Sequence, residues 1–297
     1  MSLTAETRAD RVGLGIGLIL LAFFCFAAVD TTVKWLALAG LPAMQLAFMR
    51  YLVAFLLSVG RGLQHGQIFE WQDRRVMALV LLRGALLVLA TAFNFIALGY
   101  LPLSVTSSIL NSAPIILTAL AVPLLGERVG PFRWVAVIVG FIGVLIVIRP
   151  FGEAFHWATL LMVVNAMAMA FFAILTRMLS GRIATQTMQV YMGALGTAVL
   201  LIPAFLTWKS PETASDWALL CAVGCFAWIG HEIYGRAHAF AEASVLIPFN
   251  YSFIVYLTLA GLVVFGDVPD APVLLGAAII IGSGLVICCL LYTSDAA

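Results

Sequence analysis

Long apolar stretches fill most of this chain, and short polar breaks separate them. Each stretch has about the 20 residues that a helix needs to cross a hydrocarbon core of about 30 Å. The apolar runs are continuous rather than alternating, which argues against the strands of a membrane barrel. The pattern predicts ten transmembrane helices, at Val12–Leu38, Ala43–Gly60, Val76–Gly99, Leu103–Leu125, Phe132–Ile148, His156–Leu179, Gln186–Trp208, Ser215–Ala239, Ala243–Phe265 and Pro272–Leu291.

The composition supports a lipid environment for this helical chain. Of the 297 residues, 64% are hydrophobic and 10% are charged. Ordinary soluble domains have about 45–50% apolar and about 25% charged residues. The net charge is only +1, with no basic cluster, which argues against nucleic acid as a partner. We therefore expect an all-α integral membrane protein whose surroundings are the lipid bilayer.

The basic residues predict how the chain is oriented, because loops rich in Lys and Arg stay in the cytoplasm. With the N-terminus inside, the inner segments hold Arg8, Arg11, Arg61, Arg74, Arg75, Arg128, Arg133, Arg177, Arg182 and Arg236. The outer loops then hold only Arg149 and Lys209, with Lys34 near the outer end of the first helix. We expect a multi-pass protein of the inner (plasma) membrane with both termini in the cytoplasm.

The sequence also contains an internal repeat. An offset of 140 positions pairs Ala97 with Ala237, and it also pairs Glu127 with Asp267. Each half contains five predicted spans, and an odd number makes the second half enter the membrane from the opposite side. Inverted repeats of this kind are common in secondary transporters, which bind their substrate near the midplane between the halves. We predict a first five-helix repeat at 12–150, an inverted second repeat at 156–292, and a substrate cavity between them.

Several short motifs give the chain a family resemblance. They are the junction Leu125-Gly126-Glu127-Arg128, the following helix with Gly140 and Gly143, its aliphatic end at Leu145–Ile148, and the weaker copy Phe265-Gly266-Asp267. These stretches resemble the drug/metabolite transporter superfamily, specifically its EamA-type repeat. Overall, the chain is most similar to the YddG-type bacterial exporters of aromatic and other amino acids. The resemblance implies an alternating-access exporter of small metabolites.

Polar side chains in the fourth and ninth spans are the first candidates for a substrate site. Ser104, Ser108 and Asn111 fall at helical spacing on one face of the fourth span. Tyr251 belongs to the matching stripe of the ninth span. Two such stripes in inverted copies suggest opposite walls of one pathway. Alternatively, small polar residues hold helices together in lipid without binding cargo.

Charged residues near the outer side form a second candidate group. Asp30 and Lys34 are four positions apart on the first helix, and Arg50 lies about 10 Å into the second helix from the same side. A carboxylate and cations at similar depth could bind the ammonium and carboxylate groups of an amino acid. The alternative is that these three residues neutralise one another and have only a structural role.

Two amides and an aromatic face complete the candidate set. Asn94 in the third span and Asn165 in the sixth need hydrogen-bond partners in lipid, from a substrate or from another helix. Trp228 and His231 lie on an aromatic and basic face of the eighth span. His231 could carry a proton during transport, or it could be a satisfied structural histidine.

These features favour a secondary transporter that exports amino acids, with aromatic ones as plausible cargo. No GxxxxGK[ST] motif is present for nucleotide hydrolysis, and the sequence predicts neither a cofactor nor a metal. Two alternatives remain open at this level. One is an exporter of nucleosides or lipophilic drugs, and the other is a membrane-embedded enzyme. The sequence contains neither an HExxH nor a GxSxG motif, so we expect a non-enzyme; the oligomeric state is left undetermined.

Overall fold

The computed structural model describes residues 3–65, 73–125, 130–150, 155–179, 182–241 and 243–294. All regular elements in these ranges are helical. They are α1 (Leu3–Leu38), α2 (Ala43–His65), α3 (Arg74–Leu98), α4 (Leu103–Leu110), α5 (Ala113–Leu125), α6 (Pro131–Ile148), α7 (Ala158–Leu179), α8 (Thr185–Leu206), α9 (Ala214–Ala237), α10 (Ala243–Leu246), α11 (Ser252–Phe265) and α12 (Ala271–Ser294). A 3-10 helix, Ile247–Tyr251, joins α10 to α11.

The predicted membrane crossings correspond to these helices. Within the described ranges, nine helical stretches are long and apolar enough to cross a membrane, and the apolar part of α6, Trp134–Ile148, is shorter. The outer surface of the bundle is apolar, and side chains such as Leu206 and Val263 are each 80% exposed. Such exposure suits lipid as the solvent. The all-helical membrane fold predicted from the sequence is confirmed.

Helix packing follows the inverted repeat. If α1, α2, α3 and α6 correspond to α7, α8, α9 and α12, the largest contacts between the halves form a symmetric set. The close pair α1 with α9 corresponds to the close pair α3 with α7, and α2 packs on α8 as α6 packs on α12. Contacts within a half are less symmetric, since α2 packs on α3 without comparable packing between the described helices α8 and α9. Most of the largest contacts join one half to the other, so the seam between the halves runs through the bundle.

The fourth and ninth predicted spans are each interrupted within the helix. The fourth span breaks at Asn111 and Ser112, between α4 and α5, and the ninth contains the 3-10 helix. Pro114 follows the first break and Pro248 lies in the second. Proline has no N–H, so it leaves a carbonyl of the preceding turn without its helical donor. The two breaks occur in corresponding spans, at the level of the polar stripes.

The largest apolar cluster surrounds α2. It includes Tyr51 on α2 and Leu200 on α8, and continues to Val223 and Ala227 on α9. Gly196 on α8 lies directly against the Tyr51 ring, and a Cβ atom there would overlap the ring. This close approach of α8 to α2 sets the position of Tyr51 and of its neighbour Arg50.

Candidate functional site

A hydrogen bond deep in the membrane region joins α1 to α3. The side-chain amide of Asn94 donates to the carboxylate Oδ1 of Asp30 at 3.0 Å. Asp30 is 6% exposed and Asn94 is 7% exposed. A carboxylate in such a place is costly unless it has a polar partner or faces a wet cavity, and such residues are functional candidates. The structure therefore brings together two of the candidates named from the sequence.

Arg50 of α2 lies within electrostatic reach of Asp30. Its Nη1 donates to the Thr91 hydroxyl at 2.5 Å, and the Tyr51 and Thr91 hydroxyls share a hydrogen bond of 3.0 Å. The guanidinium also lies 5.1 Å from the Tyr51 ring centroid and 5.9 Å from that of Phe95. Its Nε is buried and forms no hydrogen bond with the described residues. One donor of Arg50 is thus left for a ligand.

A narrow pocket opens beside Arg50, between α2, α8 and α9. It is lined by Arg50, Tyr51, Ala54, Ser58, Gln189, Met192, Gly193, Ala227, Trp228 and His231. Phe26 supports the back of the His231 ring, with centroids 4.9 Å apart. The Nε2 atom of His231 is buried, and no hydrogen bond to it occurs in the described part of the chain. The lining combines aromatic side chains with one cation and one amide, and the cavity of about 10 Å³ has room for about one water molecule in this conformation.

Tyr51 and Thr91 belong to this site, although neither was named from the sequence. The signal for Thr91 was present in the repeat, because the offset of 140 positions also pairs Thr91 with His231. Both members of this pair lie beside Arg50, one from each half. No comparable signal marked Tyr51, which looks like any aromatic residue of an apolar span.

Lys34 lies elsewhere, at the end of α1. Its ammonium forms an ion pair of 2.5 Å with Asp267, after α11, and donates to the Leu101 carbonyl at 3.3 Å. It also lies 4.8 Å from the Phe265 ring centroid. Lys34 therefore does not neutralise Asp30, because it has another carboxylate, whereas Arg50 remains within electrostatic reach of Asp30. A role for Lys34 in binding substrate stays a prediction.

The polar stripe of the fourth span is buried and bonded to its own helix. The hydroxyl of Ser108 donates to the Ser104 carbonyl at 2.6 Å, and the Asn111 amide donates to the Ser107 carbonyl at 2.9 Å. These bonds satisfy carbonyls around the helix break, as Ser and Asn side chains often do. The Ser104, Ser108 and Asn111 side chains are not among those lining the pocket beside Arg50.

Two further candidates lie away from the pocket. The Tyr251 side chain packs toward Gly284 of α12, in a cluster with Ile254 and Ile280. Its hydroxyl is buried and has no hydrogen-bond partner among the described residues. Asn165 of α7 is buried, with its amide 4.0 Å from the sulfur of Met162. The structure does not group these two with Arg50.

A charged cluster lies near one end of the pocket. Glu232 accepts from Arg236 at 2.9 Å, one helical turn later, as the spacing predicted. The same carboxylate oxygen lies 3.0 Å from an Arg61 nitrogen, which joins α9 to α2. Because Arg236 is largely exposed, this cluster is a partly solvated link between helices.

Comparison with known proteins identifies the family. The model of the EamA-like transporter family matches residues 13–149, which is the first predicted repeat. A riboflavin transporter of Vibrio cholerae is 32% identical over 271 residues, covering 88% of each chain. This chain belongs to the EamA-like transporter family. It is a multi-pass membrane transporter of small metabolites.

Other EamA-like relatives are named for different cargo. A pseudopaline exporter of Pseudomonas aeruginosa is 26% identical and covers 92% of this chain and 95% of its own. An S-adenosylmethionine uptake transporter of Rickettsia bellii is 28% identical and covers 92% and 93%. None of these three names refers to amino-acid export, so similarity to YddG-type exporters stays a prediction. One crystal structure shares the fold, with a TM-score of 0.65 at 17% identity over 97% of this chain and 99% of that one.

Proposed function

We propose that this EamA-like protein carries a small metabolite with a flat ring and a carboxylate across a bacterial inner membrane. Aromatic amino acids are the first candidates. Transport runs by alternating access between the repeats 12–150 and 156–292, with both termini in the cytoplasm. The chain contains no nucleotide-hydrolysis motif, so the driving force is a gradient of cargo or of a coupled ion.

The observation that supports this cargo class is the arrangement around Arg50. Arg50 lines a pocket together with Trp228 and His231, its buried Nε has no hydrogen-bond partner among the described residues, and Asp30 lies within electrostatic reach. Guanidinium groups are preferred partners of carboxylates, and aromatic side chains stack against flat rings. A carboxylate held by Arg50 would place an attached ring beside Trp228.

Riboflavin is a second candidate, favoured by the 32% identity to a riboflavin transporter. Its flat ring system could stack on the same aromatic side chains without using a carboxylate. Direction of transport is open in this comparison, because the related proteins are named for both export and uptake.

Flux in vesicles tests the proposal. Purified protein in liposomes should move radiolabelled tryptophan faster than empty liposomes, and unlabelled riboflavin, nucleosides and lipophilic drugs are added as competitors. Competition by riboflavin alone would favour the second candidate, and competition by nucleosides or drugs alone would favour those rivals. Recovery of a chemically altered product would indicate an enzyme instead. If folded protein moves none of these compounds, the proposed cargo class is wrong.

A matched pair of tryptophan variants tests the pocket. Trp228→Leu should weaken tryptophan binding about fivefold, since stacked aromatic pairs contribute about 0.5–1.5 kcal/mol. Trp217→Leu makes the same change at an exposed position near the other end of α9 and should leave binding unchanged. Equal effects of the two variants would place the cargo elsewhere.

A further inference from the structure

Arg83 of α3 is a buried cation in the membrane region. It is 7% exposed, and its Nε donates to the Thr176 hydroxyl of α7 at 2.7 Å. The guanidinium lies 4.1 Å from the Phe172 ring centroid. Its Nη1 atom is buried and forms no hydrogen bond with any described residue. Like Arg50, it therefore holds a donor without a partner.

The charges in the central region do not balance. Among the carboxylates that the structure describes, only Asp30 is within electrostatic reach of Arg50, and none forms an ion pair with Arg83. Lys34 is already neutralised by Asp267. Two guanidinium groups against one carboxylate leave one positive charge uncompensated in a low-dielectric part of the molecule.

An arginine with a purely structural role would not need to keep its charge buried without a carboxylate partner. The hydroxyl of Thr176 and the ring of Phe172 stabilise the guanidinium, but neither carries a full negative charge. Long basic side chains near a membrane surface usually extend their charged end to water. Arg83 is instead only 7% exposed, and its Nη1 atom is buried. An isolated buried cation is costly, so its retention points to an anionic ligand.

Arg50 and Arg83 are connected through α3. Along this helix, Arg83 is eight residues from Thr91, the hydrogen-bond partner of Arg50, which corresponds to about 12 Å. The two guanidinium groups thus lie at successive depths, one bonded to Thr91 and the other to Thr176.

We infer that Arg50 and Arg83 form two successive stations for one anionic group, and that the preferred cargo carries a net negative charge. The inference rests on the proposed function and narrows its cargo class. The proposed function allows any compound with a flat ring and a carboxylate, whereas the inference requires a compound that has no ammonium group to balance the carboxylate. Aromatic carboxylic acids meet this description, whereas a zwitterionic amino acid meets it only in part.

A charge series on one ring tests the inference. Indole-3-acetate, tryptophan and tryptamine share the indole ring and carry net charges of about −1, 0 and +1 at pH 7, as the usual carboxyl and amine pKa values require. Binding to the purified protein in detergent is measured by calorimetry, and flux is measured in liposomes. Indole-3-acetate should bind at least about tenfold more tightly than tryptamine, with tryptophan between them.

Variants of Arg83 provide the second part of the test. Arg83→Gln should reduce the preference for indole-3-acetate over tryptamine by at least about fivefold, because it removes one full charge. Arg83→Lys keeps the charge and should retain most of the preference. Arg75→Gln makes the same change at an exposed position at the start of α3 and should not alter the preference.

The possible results are distinguishable. If no indole compound binds or moves, the proposed function fails and the inference with it. If tryptophan moves but the wild-type protein binds tryptamine as tightly as indole-3-acetate, the inference alone is overturned. This comparison needs no variant, so it holds even if Arg83→Gln does not fold. A loss of affinity for all three compounds by the same factor in a folded Arg83→Gln protein would also overturn it.

Discussion

The ammonium of Lys34 lies 2.5 Å from the carboxylate of Asp267, which is 233 residues later in the chain. This ion pair joins the end of α1 in the first half to the segment after α11 in the second. Arg149 and Asp270 form another ion pair between the end of α6 and the start of α12. The pocket lies away from this end of the bundle. Helix α2 begins at Ala43, at the Lys34 end, and the pocket residue Ser58 is about 22 Å farther along this helix. The halves are therefore linked by charge at this end of the bundle, as Arg61 and Glu232 link them near the pocket.

Breaking the Lys34 and Asp267 pair should destabilise the protein. Asp267→Asn leaves the ammonium of Lys34 without a counter-charge in a largely buried position, and should cost about 2 kcal/mol of unfolding free energy. Thermal unfolding in detergent measures this loss. Replacing both residues, with Lys34→Met and Asp267→Leu, should recover most of the loss, since no charge is left unpaired. A double variant that is no better than Asp267→Asn would contradict the pairing.

Neutralising Asp30 should reduce transport more than stability. Asp30→Asn keeps the shape of the side chain but removes the negative charge near Arg50. We expect flux of an aromatic amino acid to fall by about tenfold, because Arg50 and Asn94 lose the carboxylate that lies beside them. The control is Asp73→Asn, an exposed position where the residue caps the start of α3 and asparagine can do the same. Unchanged flux in folded Asp30→Asn protein would remove Asp30 from the site.

A methyl group added at Gly196 of α8 should disturb the site by displacing Tyr51. Gly196→Ala places a Cβ against the Tyr51 ring, so the ring or α8 has to move. We expect a loss of about 1–3 kcal/mol in unfolding free energy and weaker cargo binding, since Tyr51 adjoins Arg50. Gly17→Ala on α1 is the matched control, because no atom lies within 4 Å of the added Cβ. That variant should be neutral or slightly stabilising.

The Asp270 pair predicts a pH dependence of stability. The hydrogen bond from Arg149 holds the pKa of the Asp270 carboxyl below its usual value. A lowered native pKa contributes stability above the ordinary carboxyl pKa of about 3.9, and this contribution is lost as the pH falls through the native value. Because Asp270 is half exposed, the contribution should stay below about 1 kcal/mol.

Asp270→Asn tests this dependence while retaining an oxygen that can accept from the Val273 N–H and cap α12. The difference in unfolding free energy between wild type and Asp270→Asn should be constant from pH 7 to pH 5 and shrink below about pH 4. Arg149→Gln should reduce the same pH dependence, and the Val273 N–H should keep a smaller part of it. A difference that grows as the pH falls would mean that the sign of the pKa shift is wrong.

The sequence identified many residues of the site, but it did not predict which of them lie together. Asp30, Arg50, Asn94, Trp228 and His231 stood out because polar residues in apolar spans are costly. The partner of Lys34 could not be predicted, because spacing along one helix favoured Asp30 and said nothing about a segment 233 residues away. The roles of the Ser104, Ser108 and Asn111 side chains depended on a helix break that apolar periodicity does not reveal.

The sequence by itself determined the membrane environment, the all-helical fold, the number of crossings and the inverted repeat. Each of these follows from local quantities: the length of an apolar run, the charge of a loop and the parity of spans in a half. Only the tertiary structure decided which polar groups share a pocket and which cations keep a donor unpaired. These properties depend on how helices rotate and approach one another, as Gly196 and Tyr51 do, and packing across the seam between the halves sets that geometry.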